Sequence, residues 1–206
     1  MIVEKLSSGV YGANCYIVAS ENTKDGIVID PADNTEGLLE LIKNKDLNIK
    51  YIILTHGHGD HIGGIKELKE STNSEILIHK EDKEMLENKE LNLSSQMPMV
   101  TVEIKPDKVL EDGEIIDFGS LKAEIIHTPG HTKGCICIKI DNNIFTGDTL
   151  FKGSIGRTDL YGGSYESIIS SIKDKLMAYD DETKVYPGHG PMSTIGYERN
   201  TNPFLK

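Results

Sequence analysis

The chain has 206 residues, 37% of them apolar and 27% charged, with a formal net charge of −11; that suits one folded domain spanning 1–206 and excludes a disordered polymer. No lysine/arginine cluster of the kind that grips a nucleic-acid backbone stands out, and no apolar run approaches the ~18–20 residues of a membrane span. Neither nucleic acid nor a membrane is therefore expected as a partner, and the chain is read as cytoplasmic because residues 1–6 lack the apolar core of a signal peptide.

In chain order, the pattern predicts strands over 2–6, 14–19 and 26–30. A helix follows with Leu38, Leu39, Leu41 and Ile42 on one face, and Asp33 with Glu36 has the spacing of a capping box. The short apolar run 51–54 predicts a buried strand, and a histidine-rich segment, 56–61, comes directly after it. Residues 62–71 read as a helix with Ile65 and Leu68 facing inward, 75–78 as a strand, and 81–88 as a charged surface helix. Residues 89–107, with Pro98 and Pro106, have no period and are expected to be a loop able to cover a site.

Strands are then expected over 114–118, 121–127, 135–140 and 144–146. Ser164 caps a helix reaching about residue 178, with Ile168, Ile169, Ile172 and Leu176 on its apolar face. A strand over 184–186 and a short helix over 193–200 complete the series. Two similar halves of strands and helices predict sheets covered by helices on their outer faces. Cys15, Cys135 and Cys137 are too few, and odd in number, for a disulfide framework, and read as small buried hydrophobes.

The chemistry concentrates in Thr55-His56-Gly57-His58-Gly59-Asp60-His61, four candidate metal ligands within six residues. His56 and His58, two apart, leave an extended backbone on the same side. Asp60 and His61 follow a glycine at which the chain can turn, so one pair can face one ion and the second pair another. Three further candidates sit in glycine-containing turns after strands: His131 in Thr128-Pro-Gly-His-Thr132, Asp148 in Thr146-Gly-Asp-Thr149 and His189 in Pro187-Gly-His-Gly190. Imidazoles and carboxylates of this kind hold divalent metals, and an open coordination position lets a bound water ionise near neutral pH. His79, beside Lys80 and Glu81, is expected to be exposed; His127, four residues before His131, is a candidate for supporting a ligand.

The set His-x-His-x-Asp-His followed by His, Asp and His resembles the metallo-β-lactamase superfamily over nearly the whole chain. The resemblance implies an α/β fold, an αββα four-layer sandwich of two mixed sheets flanked by helices. It implies two divalent metal ions per chain, zinc first, with iron or manganese as the other candidates. His56, His58 and His131 would hold the first ion and Asp60, His61 and His189 the second, with Asp148 bridging. Thr146-Gly-Asp-Thr-Leu-Phe151, Gly153-Ser-Ile-Gly-Arg-Thr-Asp159 and the segment 193–204 are similar to the glyoxalase II group in its short form. That likeness implies hydrolysis of a small-molecule thioester, such as S-lactoylglutathione, by a metal-bridged hydroxide. Asp60 would orient the nucleophile and Arg157 would meet an anionic substrate. Persulfide dioxygenases of the same fold share the seven residues and use one iron held by two His and one Asp, so they form the alternative. A non-catalytic binding protein would have no need of the full ligand set.

Overall fold

The computed structural model describes residues 1–9, 11–33 and 35–206. Two six-stranded sheets stack face to face. The first contains β1 (Ile2–Ser8), β2 (Ala13–Ala19), β3 (Asp25–Ile29), β4 (Asn48–Leu54), β5 (Glu75–His79) and β6 (Lys108–Leu110), in that spatial order. Its first three strands pair antiparallel, and β3 to β6 pair parallel. The second contains β7 (Ile115–Phe118), β8 (Leu121–His127), β9 (Ile136–Ile140), β10 (Asn143–Gly147), β13 (Lys184–Pro187) and β14 (Ser193–Thr194), ordered β14-β13-β10-β9-β8-β7. Only the β10–β13 pair in it is parallel. A two-stranded ribbon, β11 (Leu150–Phe151) with β12 (Ser154–Ile155), stands apart from both sheets.

Strand alternation sorts the core into three apolar layers. Along β2, Cys15, Ile17 and Ala19 face outward and pack with Leu38 and Ile42 of α1 (Thr35–Asn44) and with Ile65 and Leu68 of α3 (Ile65–Thr72). The intervening Tyr16 and Val18 face the other sheet and meet Phe118, Ile125, Ile138, Phe145 and Tyr186. On the far side, Cys137, Ile144 and Val185 pack with Ile168 of α5 (Tyr165–Ser170), its continuation through Ile172 and Leu176, and Ile195 of α6 (Ile195–Thr201). Every residue of β2 is buried because both faces of its sheet are covered. The order is helix, sheet, sheet, helix, as expected.

Several local expectations need correction. The run 62–71 is two helices, α2 (Gly59–Ile62) and α3, because Gly63-Gly64 interrupts it. The segment 81–88 contains only a 3₁₀ turn, Lys80–Asp82, and one turn of helix, α4 (Lys83–Leu86); Asp82, Met85 and Leu86 are buried. α1 begins at Thr35, and the expected cap of this helix falls beside residue 34, outside the described residues. The helix after Ser164 loosens into a π turn at Ser171–Lys175 and tightens into a 3₁₀ turn at Leu176–Ala178. Among the described residues no helix is long and apolar enough to cross a membrane.

Candidate metal centre

All seven expected ligands converge at one edge of the sandwich, because each follows a strand that ends there. His56 and His58 lie just past β4, with Asp60 and His61 in α2. His131 lies past β8, Asp148 past β10 and His189 past β13. The two sheets are joined along this edge by backbone hydrogen bonds. Asn14 N–H donates to Gly188 O at 2.7 Å, and Ile136 N–H to Thr55 O at 2.8 Å. The Tyr16 hydroxyl and the Asn14 amide both donate to Pro187 O.

Two groups of three ligands result: His56, His58 and His131; and Asp60, His61 and His189. Within each group the ligating atoms lie within 4.8 Å of one another. Asp148 lies between them. One of its oxygens is 3.4 Å from His61 Nε2, and the other is 3.5 Å from His131 Nε2 and 3.6 Å from His189 Nε2. Asp60 Oδ2 is 3.3 Å from His189 Nε2 and 3.7 Å from His61 Nε2.

The outward ring nitrogens are held by the protein, which turns the other nitrogens toward the centre. His131 Nδ1 donates to Arg157 O at 2.7 Å, and His189 Nδ1 to Tyr11 O at 3.1 Å. His61 Nδ1 lies 3.0 Å from Asp30 Oδ2. His56 Nδ1 lies 3.1 Å from the Thr55 hydroxyl, which itself donates to Asp30 Oδ2 at 2.6 Å. Facing inward, His58 Nδ1 and His131 Nε2 stand 2.8 Å apart, and His61 Nε2 and His189 Nε2 3.1 Å. His56 Nε2, His58 Nε2 and one oxygen of Asp148 are buried without a hydrogen-bond partner. Buried orphan polar atoms are costly in a protein interior, and divalent cations would satisfy His56 Nε2 and the Asp148 oxygen, with His58 offering Nδ1 to the same space. The donor set therefore fits two such ions.

Electrostatics point the same way. Burial, then the neighbouring imidazoles His61 and His131, push His56 well below its ordinary pKa. Burial and His131 lower His58 to about 3. Both rings are neutral at pH 7, as metal ligands must be. Burial alone would raise Asp60, but His61 and His189 outweigh it and hold the carboxyl well below the usual range. Burial alone would lower His61, but Asp148, Asp60 and Asp30 outweigh it and raise it to about 10. The carboxylates that favour a proton on His61 would equally favour a metal cation in that space.

The centre opens into a cleft of about 580 Å³. Leu93, Gln96 and Met97 form one wall, Phe151, Ile155 and Leu160 another, with Tyr11 and Arg157 at the mouth. The loop 89–107 thus reaches the site, as expected. Arg157 is exposed and makes a two-pronged ion pair with Asp159, at 2.8 and 2.7 Å.

Four residues come out differently from the sequence reading. His79 is buried, 2% exposed, and its ring stacks on His127 with centroids 4.0 Å apart. The basic and acidic neighbours that suggested exposure lie beyond the strand end. His127 supports no ligand: it caps Lys133 O at 2.8 Å and lines a second cleft of about 560 Å³. Asp30 and Asp82, both buried, are the functional candidates that the sequence reading missed. Asp30, with φ of 52°, holds an uncommon left-handed backbone at a strand end before Pro31; a lone acid closing an apolar run was its signal. Asp82 had none, since Lys80-Glu-Asp-Lys-Glu84 reads as surface. Cys135 and Cys137 are buried thiols as expected, with burial pushing Cys137 up to about 12.

The model of the metallo-beta-lactamase superfamily matches residues 8–189. Among curated relatives, the hydroxyacylglutathione hydrolase GloC of Haemophilus influenzae is 37% identical, with 100% of this chain and 98% of that protein covered. Among solved structures, the BLEG-1 B3 metallo-beta-lactamase superposes with a TM-score of 0.94 at 32% identity, over 100% of both chains. TTHA1623, solved in a di-iron-bound form, superposes with a TM-score of 0.88 at 33% identity, over 98% of this chain and 100% of that one. By its fold, its ligand set and these likenesses, the chain belongs to the metallo-beta-lactamase superfamily.

Proposed function

We propose that the chain is a metal-dependent hydrolase that cleaves a thioester, such as S-lactoylglutathione or a similar acyl thiol. The observation that carries this reading is Asp148 placed between two ligand groups, within 3.6 Å of a histidine from each. The full-length likeness to a hydroxyacylglutathione hydrolase supports the thioester as substrate. His56, His58 and His131 would hold one ion, Asp60, His61 and His189 the other, and Asp148 would serve both. Zinc is the first candidate; the di-iron form of TTHA1623 keeps iron beside it.

When bound, divalent ions at these groups lower the pKa of water toward ~7 and polarise a carbonyl. Asp60 stays ionised and can orient an attacking water by accepting a hydrogen bond from it. Leu93, Met97, Phe151 and Ile155 line the cleft and exclude bulk water from an acyl group. Arg157 at the mouth can meet a substrate carboxylate with its paired N–H donors. None of these roles needs a serine or cysteine nucleophile.

The test uses protein loaded separately with zinc, manganese and iron. Release of free thiol from an S-acyl glutathione, with no oxygen uptake, is expected. Oxygen uptake on adding glutathione persulfide, with no thioester cleavage, would overturn the reading in favour of an iron dioxygenase.

A further inference from the structure

The seven ligands come from both sheets, so something must hold the two contributions in register. His56 and His58 belong to the loop after β4 in the first sheet, and His131 to the loop between β8 and β9 in the second. The bond from Ile136 N–H to Thr55 O joins the strand ends below them. Beyond the strand ends, the loops meet at Asp82.

Asp82 is fully buried, in the turn after β5. Its Oδ2 accepts from Gly57 N–H at 3.1 Å and from the Thr132 hydroxyl at 2.6 Å, and its Oδ1 accepts from Gly134 N–H at 2.7 Å. Gly57 lies between His56 and His58, and Thr132 adjoins His131. One carboxylate therefore grips both loops of the three-histidine group. The backbone leaves room for it there. A methyl group on Gly134 would lie 2.5 Å from Asp82 N, and one on Gly57 would lie 2.7 Å from Met85 Cβ. The other group is braced elsewhere, His61 by Asp30 and His189 by Tyr11 O.

We propose that Asp82 is a positioning residue that sets the His58–His131 spacing, and with it the affinity of the His56–His58–His131 group for a metal ion, without acting on the Asp60–His61–His189 group. The proposal rests on the metal-binding reading above. Asparagine cannot replace the carboxylate. With its oxygen toward Gly57 and Thr132, its amide would face the Gly134 N–H, donor against donor; turned round, it would face the Gly57 N–H in the same way, and only the Thr132 hydroxyl could reverse its role to accept.

The experiment is equilibrium uptake of cobalt(II) by the full-length chain from buffered solutions, followed by metal analysis and visible absorption. A His189→Ala background isolates the three-histidine group, and a His58→Ala background isolates the other. Thr132→Val, nearly the same shape, deletes one of the three donors and guards against misfolding of Asp82→Asn. In the His189→Ala background both substitutions are expected to weaken cobalt binding about 10–100-fold, the usual cost of losing a partner that orients a ligand. In the His58→Ala background neither should change it. Unchanged binding in the first background, or equal loss in both, overturns the proposal. A wild-type chain that takes up no cobalt would instead overturn the metal reading itself.

Discussion

Arg157, which lines the cleft, is paired with Asp159 two residues on, and both are more than half exposed. Water screens such a pair, so an incoming carboxylate can replace Asp159 with little loss. Removing the competitor by Asp159→Asn should lower KM for an anionic S-acyl thiol several-fold and leave a neutral thioester unaffected. Arg157→Ala should raise KM for the anionic substrate alone, with kcat nearly constant, because the contact exists equally in bound substrate and transition state. Equal losses on both substrates in steady-state assays would make the residue structural. Asp60 behaves differently, since its charge bears on both metal and water. Asp60→Asn keeps the shape and removes the charge, so kcat should fall by about 10²–10³-fold, the span of losing one preorganised electrostatic contact, while circular dichroism stays unchanged.

At the scale of elements, the loop after α4 is a built wall. Asn92 is fully buried: its amide donates to Met85 O and Val102 O, and its side-chain oxygen accepts from Ser94 N–H. Its own carbonyl accepts from Gly59 N–H at 2.7 Å, inside the ligand run. Asn92→Ala strands the Ser94 N–H, at roughly 1–3 kcal/mol, and takes one of the bonds accepted by Met85 O and by Val102 O, at roughly 1 kcal/mol each. A net loss of about 3 kcal/mol in urea unfolding is expected, with KM raised as Leu93 and Met97 come loose. The run of candidate ligands was legible in sequence because its residues are neighbours, and the lone candidates because each sits in a glycine turn after an apolar strand. The elements that were not legible are short or made by contact. β6, β11 and β12 have two or three residues each, too few to show a period. Asp82 acquires its contacts from Gly57, Thr132 and Gly134, 25, 50 and 52 residues away in the chain.

Across the whole molecule, the two sheets meet again at His79, which ends β5, and His127, which ends β8; their rings stack. Burial, then His127 and Lys80, lower His79 from an ordinary value near 6.5 to about 4. Between those values the unfolded chain binds a proton there and the folded chain does not. Stability therefore falls as pH drops from 6.5 to 4. His79→Gln should flatten the stability curve over that interval in denaturant titrations at stepped pH; a curve as steep as the wild type's would remove His79 as the source.

The seam of backbone bonds between the two sheets has a consequence for the timing of synthesis. A growing chain displays His56, His58, Asp60 and His61 long before residues 131, 148 and 189 exist. Four candidate ligands on a peptide not yet folded would make a loose chelate open to any passing cation. The full set of candidate ligands can come together only when Pro187 has emerged to receive Tyr16 and Asn14, and Gly188 to receive Asn14 N–H. Partners separated by about 170 residues close slowly, because the cost of forming so long a loop is met before its contacts repay it. The centre is therefore expected among the last parts of the protein to form, and any choice of metal would rest with the finished edge rather than with the histidine-rich segment that first draws the eye.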